Sequence, residues 1–124
     1  MICNAAAYTA VDDAEENQEL AYKINVEAPA IFAKYAVITD TRIIHYSTDY
    51  VFSGSSPSPW KEEDECNPQG VYAKTKLQGE QAIIDSGCQY MIFRTAWVYS
   101  ERGSNFMNTM LKLAQDIEEL DIVD

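Results

Sequence analysis

Histidine and cysteine are scarce in this chain of 124 residues, which contains one histidine and three cysteines. The single histidine, His45, has no identifiable partner for a nucleophile–base–acid arrangement of the hydrolase kind. Cys3, Cys66 and Cys88 are odd in number and lack the spacing of a metal site. We therefore expect reduced thiols in a cytoplasmic protein and no bound metal.

Basic residues and long apolar runs are also few. Nine Lys and Arg residues oppose twenty Asp and Glu residues, giving a formal net charge of −11. This balance argues against nucleic acid or an anionic membrane as a general partner, although a local pocket can still bind a small anion. No apolar run approaches the roughly 18 residues of a membrane span, and the N-terminus lacks signal-peptide features.

The length suffices for one domain with a hydrophobic core, but not for two. Apolar spacing predicts strands at residues 1–4, 43–47, 89–94 and 120–123, and helices at 18–37, 71–86 and 105–119. The acidic residues 12–16 are expected to cap the first helix, in which Pro29 predicts a kink or break. Residues 52–70 predict a long loop. Because the chain begins and ends within predicted strands, we expect a fragment of a longer protein.

Alternating strands and helices favour an α/β fold, in which a parallel sheet carries helices on its faces. Ligands of such sheets bind beyond the carboxyl ends of the strands. Residues 4–9, 47–50 and 95–99 all reach that edge and are rich in hydroxyl, amide and aromatic groups. Trp97 is expected to stack on a substrate there. His45 is expected in the core, and the charged residues 61–65 in a solvated loop.

Tyr72 and Lys76 are four residues apart on a predicted helix, and therefore share one face. A tyrosine has an ordinary pKa of about 10, which a nearby lysine ammonium lowers by favouring the phenolate. Thr48, at the end of the preceding strand, is placed to hold a carbonyl oxygen beside Tyr72. A Tyr–Lys pair at this spacing is common by chance, but its combination with the strand-end Thr48 indicates proton transfer to a carbonyl.

Four segments together resemble the dTDP-4-dehydrorhamnose reductase family of the extended short-chain dehydrogenase/reductase superfamily. They are residues 4–12 (NAAAYTAVD), 45–52 (HYSTDYVF), 72–80 (YAKTKLQGE) and 94–99 (RTAWVY). The resemblance implies an NADPH- or NADH-dependent reduction of the 4-keto group of dTDP-4-dehydro-L-rhamnose to dTDP-L-rhamnose. It also implies a Rossmann-like sheet, with residues 1–124 forming the C-terminal half of the NAD(P)-binding domain.

The resemblance further assigns residues to roles. It implies Thr48, Tyr72 and Lys76 as catalytic, with Tyr72 as proton donor and Lys76 holding the nicotinamide ribose. The cofactor would be lined by Ala7, Tyr8, Thr9 and Tyr46, together with Tyr72 and Lys76. The dTDP-sugar would face Val11, Thr48, Asp49, Tyr50 and Trp97. Family members can form homodimers through a metal-assisted interface, for which this chain offers no identifiable ligand.

Two features depart from the family. None of the five glycines forms the Gly-rich turn that receives the cofactor pyrophosphate, and the C-terminal substrate-binding region has no counterpart. We therefore expect the 124-residue chain alone to bind NADPH weakly or not at all. Two alternatives stay open: a non-catalytic module like the methionine adenosyltransferase regulatory subunit, and a sibling nucleotide-sugar epimerase or dehydratase.

Overall fold

The computed structural model describes residues 1–103, 105–117 and 119. It contains three strands and five α-helices: β1 (Ile2–Asn4), α1 (Val11–Glu16), α2 (Gln18–Tyr22), α3 (Ala28–Ile38), β2 (Ile43–Thr48), α4 (Val71–Asp85), β3 (Tyr90–Thr95) and α5 (Phe106–Asp116). A π-helical segment (Lys23–Glu27) joins α2 to α3, and a 3₁₀ turn (Asp49–Val51) follows β2. The strand predicted at 120–123 lies outside the described residues.

The three strands form one parallel sheet in the order β1-β2-β3. Ile43 of β2 pairs with Ile2 of β1 on one side and with Tyr90 of β3 on the other. The predicted α/β class with a parallel sheet is confirmed. Because all strands run the same way, the segments that follow Asn4, Thr48 and Thr95 emerge at the same edge.

The helical stretch from Gln18 to Ile38 has its irregularity just before Pro29, where the predicted kink is a π-helical segment. A proline has no N–H to donate to the carbonyl four residues earlier, which here belongs to Asn25. That carbonyl oxygen lies against Gly79 of α4, only 2.1 Å from where a Cβ would stand. The wide turn and Gly79 therefore let the two helices approach closely.

Residues 12–16 differ from the prediction, since they lie in a separate short helix, α1, rather than capping a longer one. Asn17 separates α1 from α2, and its side chain binds back to the carbonyl and carboxylate of Asp13. The segment folds as two helices because the backbone leaves the helical conformation at Asn17, where φ is −110° and ψ is 43°. None of the helices within the described ranges is both long and apolar enough to cross a bilayer.

The core lies between the sheet and helices α3 and α4. It consists of Ala33, Ala36, Ile43, Ile83 and Cys88, with Ile2 and Phe32 packed against it. Helix α4 ends before Gly87, which has a φ of +74° and so provides the left-handed residue that commonly follows a helix. This packing fixes α4 across β2, and α4 carries both Tyr72 and Lys76.

The long loop predicted at residues 52–70 contains neither helix nor strand. Arg94 of β3 fixes its position by donating to the buried carboxylate of Glu80 at 2.7 Å and to the Glu62 carbonyl at 3.3 Å. The Arg94 guanidinium also lies 5.0 Å from the centre of the Phe52 ring, which stacks on Trp60. One side chain thus joins α4, β3 and both halves of the loop.

Candidate active site

A cleft of about 330 Å³ opens at the carboxyl edge of the sheet. The three predicted edge segments meet there, joined by the first turns of α4. Its lining residues are Ala5, Ala7, Thr9, Val11, Tyr46, Ser47, Thr48, Asp49, Tyr50, Tyr72, Lys76, Thr95, Ala96, Trp97 and Val98. The cleft therefore brings together ten of the eleven residues that the sequence analysis assigned to the site; the eleventh is Tyr8.

Thr48 ends β2 and begins the 3₁₀ turn, where its position is fixed by local hydrogen bonds. Its hydroxyl accepts from the Tyr50 N–H at 3.2 Å and donates to the Asp49 carboxylate at 3.3 Å. Thr48 as a whole is 5% exposed. Its hydroxyl oxygen has a second lone pair that can accept a hydrogen bond from a ligand. Backbone geometry thus presents the Thr48 hydroxyl to the cleft beside Tyr72.

Tyr72 lies half-buried in the first turn of α4, edge-on to Tyr50 with 6.0 Å between ring centres. Burial raises the pKa of its phenol, an interaction with the Thr48 hydroxyl partly offsets this, and Asp49 and Tyr50 raise it further. The prediction that Lys76 lowers the pKa of Tyr72 is therefore wrong for this arrangement. Since the ordinary pKa of a tyrosine is about 10 and burial raises it here, Tyr72 holds its proton at neutral pH.

Lys76 is 2% exposed, and its ammonium donates to the Tyr46 carbonyl of β2 at 2.7 Å. Burial lowers its pKa to about 8, although Glu80 one turn further along α4 opposes the shift. A buried lysine with this pKa is still mostly charged at pH 7. The cleft floor therefore carries one positive charge in an otherwise acidic protein.

His45 and Ser47 lie on the buried face of β2 beneath this lysine. His45 is fully buried, as expected for a core residue, and its Nδ1 pairs with the Asn4 amide at 3.0 Å. Burial and the charge of Lys76 lower the pKa of His45 to about 4, so it is neutral at pH 7. Within the described residues, the Ser47 hydroxyl has no hydrogen-bond partner.

The loop after β1 contributes Ala7 and Thr9 to the cleft, but not Tyr8. The Tyr8 hydroxyl instead donates to the Asp13 carboxylate of α1. The Tyr8 backbone is held by the Asn25 side chain, through N–H to Oδ1 at 2.8 Å and Nδ2 to O at 3.2 Å. Asn25 also donates to the Thr75 hydroxyl of α4 at 3.1 Å, a role for which the sequence offered no local signal.

Trp97 forms the outer wall of the cleft. It has a φ of 49°, is 75% exposed, and packs edge-on against Phe106 of α5 with 5.1 Å between ring centres. A large exposed ring at a ligand edge is well suited to stacking on a flat or apolar ligand. The predicted stacking role of Trp97 stays a prediction.

The whole chain, residues 1–124, matches the family model of the RmlD substrate binding domain. The chain belongs to this family. It is 48% identical over 124 residues to the dTDP-4-dehydrorhamnose reductase of Salmonella typhimurium, covering 100% of this chain and 42% of that relative. The chain thus spans less than half the length of the curated relatives it matches.

Solved structures of this RmlD-type family share the fold. A dTDP-4-dehydrorhamnose reductase of Clostridium acetobutylicum aligns with a TM-score of 0.92 and 47% identity, over 95% of this chain and 42% of that one. The enzyme of Bacillus anthracis in complex with NADP aligns with a TM-score of 0.92 and 37% identity, over 96% and 42%. The Rossmann-like architecture expected from the resemblance is confirmed.

Proposed function

We propose that this chain is the part of a dTDP-4-dehydrorhamnose reductase that carries the acid–base residues. The observation that carries the proposal is the meeting of Thr48, Tyr72 and Lys76 in one cleft, in a chain of the RmlD family. The reaction is the reduction of the 4-keto group of dTDP-4-dehydro-L-rhamnose with NADPH or NADH. Residues 1–124 form the C-terminal half of the NAD(P)-binding domain.

The lining of the cleft fits a nicotinamide cofactor. Ala5 and Ala7 have side chains too small to obstruct a flat ring, and the Lys76 ammonium beside Tyr46 suits a ribose hydroxyl or an anionic group. When bound, the reduced nicotinamide supplies the hydride. Lys76, Ala7, Thr9 and Tyr46 would hold this group, while the Tyr8 backbone, bound by Asn25, fixes the loop that carries Ala7 and Thr9.

The chemistry of the chain's own residues follows from their protonation. Tyr72, protonated at neutral pH, donates its phenolic proton to the keto oxygen as that oxygen gains negative charge. The Thr48 hydroxyl hydrogen-bonds the same oxygen. Lys76 is the third catalytic residue: its ammonium, bound to the Tyr46 carbonyl at the floor of the cleft, is placed to hold the nicotinamide ribose. Val11, Asp49, Tyr50 and Trp97 face the sugar nucleotide.

The test measures NADPH oxidation by the full-length protein with dTDP-4-dehydro-L-rhamnose, comparing the wild type with Tyr72→Phe. Phe keeps the ring that packs against Tyr50 and removes only the proton donor. We expect kcat to fall by about 10²–10⁴-fold. Absence of wild-type turnover would instead support a non-catalytic module, and an undiminished rate in Tyr72→Phe would remove Tyr72 as the donor.

The same proposal predicts how the 124-residue chain behaves alone. It has no Gly-rich turn for the cofactor pyrophosphate, so we expect weak or undetectable NADPH binding in a fluorescence titration, against clear binding by the full-length protein. Tight stoichiometric binding to the chain alone would contradict this. Sedimentation of the full-length protein tests the homodimer that the family resemblance implies.

A further inference from the structure

Helix α4 begins without a capping side chain of its own. Its N-cap residue is Gly70, in extended backbone at φ −103° and ψ 174°. The first N–H groups of a helix have no partner within the helix and normally bind the side chain of a Ser, Thr, Asp or Asn at this position. The first turn of α4, which contains Tyr72, therefore needs a hydrogen-bond acceptor from another part of the chain.

Glu15 of α1 supplies the missing acceptor from 56 residues earlier in the chain. Its Oε1 accepts the Val71 N–H of the first helical residue at 2.7 Å. A Cβ on residue 70 would stand 2.9 Å from the same oxygen, so the glycine leaves the space that the carboxylate occupies. The negative charge also lies at the positive end of the α4 dipole, where it is favourable.

This contact joins two walls of the cleft. Helix α1 begins at Val11, which lines the cleft, and α4 presents Tyr72 directly after the residue that Glu15 binds. We propose that Glu15 is a positioning residue, which holds the first turn of α4 so that the Tyr72 hydroxyl meets the substrate oxygen. The inference rests on the proposed reductase function.

The test uses the full-length protein and three variants. Glu15→Ala removes the acceptor, Glu15→Gln retains a neutral one, and the double variant Glu15→Ala with Gly70→Ser provides a local cap in the space that the carboxylate has left. Serine suits the extended conformation of residue 70 and accepts from the next N–H groups. Steady-state kcat and KM are measured well below the lowest melting temperature, so that unfolding does not contribute.

We expect Glu15→Ala to lower kcat about tenfold with KM changed less than about twofold, because misplacement of Tyr72 affects the reacting atoms more than binding. Glu15→Gln and the double variant should recover most of kcat. The inference is overturned if Glu15→Ala leaves kcat intact, if KM rises instead, or if the serine cap restores the melting temperature but not kcat.

Hydrogen exchange keeps the two proposals separate. Mass spectrometry of peptides covering residues 70–76 should show faster exchange in Glu15→Ala and recovery in the double variant, whatever the substrate. An inactive wild type would refute the proposed function, while this exchange pattern would still support the role of Glu15. Unchanged exchange in Glu15→Ala would refute that role even in an active enzyme.

Discussion

Gly79 is the position where α4 tolerates no side chain, and Gly79→Ala is the sharpest test of the helix packing. In an exposed helix this substitution stabilises by about 1 kcal/mol, because alanine has the higher helix propensity. Here the new Cβ would stand 2.1 Å from the Asn25 carbonyl oxygen and 3.3 Å from its carbon. The sign of the effect therefore depends on whether that carbonyl can move.

The geometry indicates that the Asn25 carbonyl cannot move without a considerable cost in free energy. Ordinary contacts between a carbon and a carbonyl oxygen are about 3.3 Å, so the new contact falls short by about 1.2 Å. The oxygen is backbone within the π-helical segment, and the Asn25 side chain is tied to Tyr8 and Thr75. Overpacking of this kind costs about 1–3 kcal/mol or more, and it exceeds the gain in helix propensity.

We expect Gly79→Ala to lower the free energy of unfolding by about 2 kcal/mol, because a cost at the upper end of about 1–3 kcal/mol for overpacking outweighs a propensity gain of about 1 kcal/mol, and the melting temperature should fall by several degrees. Differential scanning fluorimetry of the full-length protein measures the shift. Gln78→Ala, at the exposed neighbouring position of α4, is the matched control and should change stability little. A Gly79→Ala protein as stable as wild type would refute the close approach of Asn25 to α4.

Three further predictions follow from the polar contacts. Arg94→Met leaves the buried Glu80 carboxylate unpaired, so the protein should lose about 3–5 kcal/mol of stability and become sensitive to proteolysis in the 52–70 loop. Glu80→Gln with Arg94→Met should recover part of this loss. His45 has a folded-state pKa of about 4, below its unfolded value of about 6.5. Between these two pH values the unfolded state binds more protons than the folded state. The free energy of unfolding should therefore fall as pH drops from about 6.5 to about 4. His45→Gln should remove that part of the pH dependence in urea titrations, and an unchanged slope would contradict it. Asn25→Asp retains the acceptor for the Tyr8 N–H but loses the amide donations to the Tyr8 carbonyl and to the Thr75 hydroxyl. It should weaken NADPH binding more than Thr75→Val, which leaves both contacts of Asn25 to the Tyr8 backbone intact.

Sequence patterns among neighbouring residues predicted the parallel sheet and the segments that line the cleft. The apolar runs of β2 and β3 and the helical spacing of α4 are properties of neighbouring residues, and parallel strands then bring their ends to one edge. That topological rule, together with the position of Tyr72 on the next helix, predicts that Thr48, Tyr72 and Trp97 share one site, and all three line the cleft. The resemblance added the cofactor and sugar roles, which spacing alone does not give.

Contacts between residues that are far apart in the sequence could not be predicted from such short-range patterns. The Glu15 cap of α4 joins residues 56 apart, and the local signal at Gly70 predicts only a helix without a cap. The π-helical segment was signalled by Pro29, but its partner Gly79 lies fifty residues later. In each case a glycine marks the space that another element fills, and only the fold shows which element that is.

The incorrect prediction about Tyr72 has a related cause. A spacing of four residues places the Cβ atoms of Tyr72 and Lys76 on one helix face, but it does not determine where a four-carbon side chain ends. The Lys76 ammonium reaches the carbonyl of Tyr46 on β2, while Tyr72 faces Thr48, Asp49 and Tyr50. The pKa of the phenol is thus raised mainly by burial, and the residues of the strand-end turn modify it in both directions. Burial, reinforced by Asp49 and Tyr50, therefore raises the pKa of Tyr72, and Lys76 is left to hold a positive charge against the Tyr46 carbonyl at the floor of the cleft.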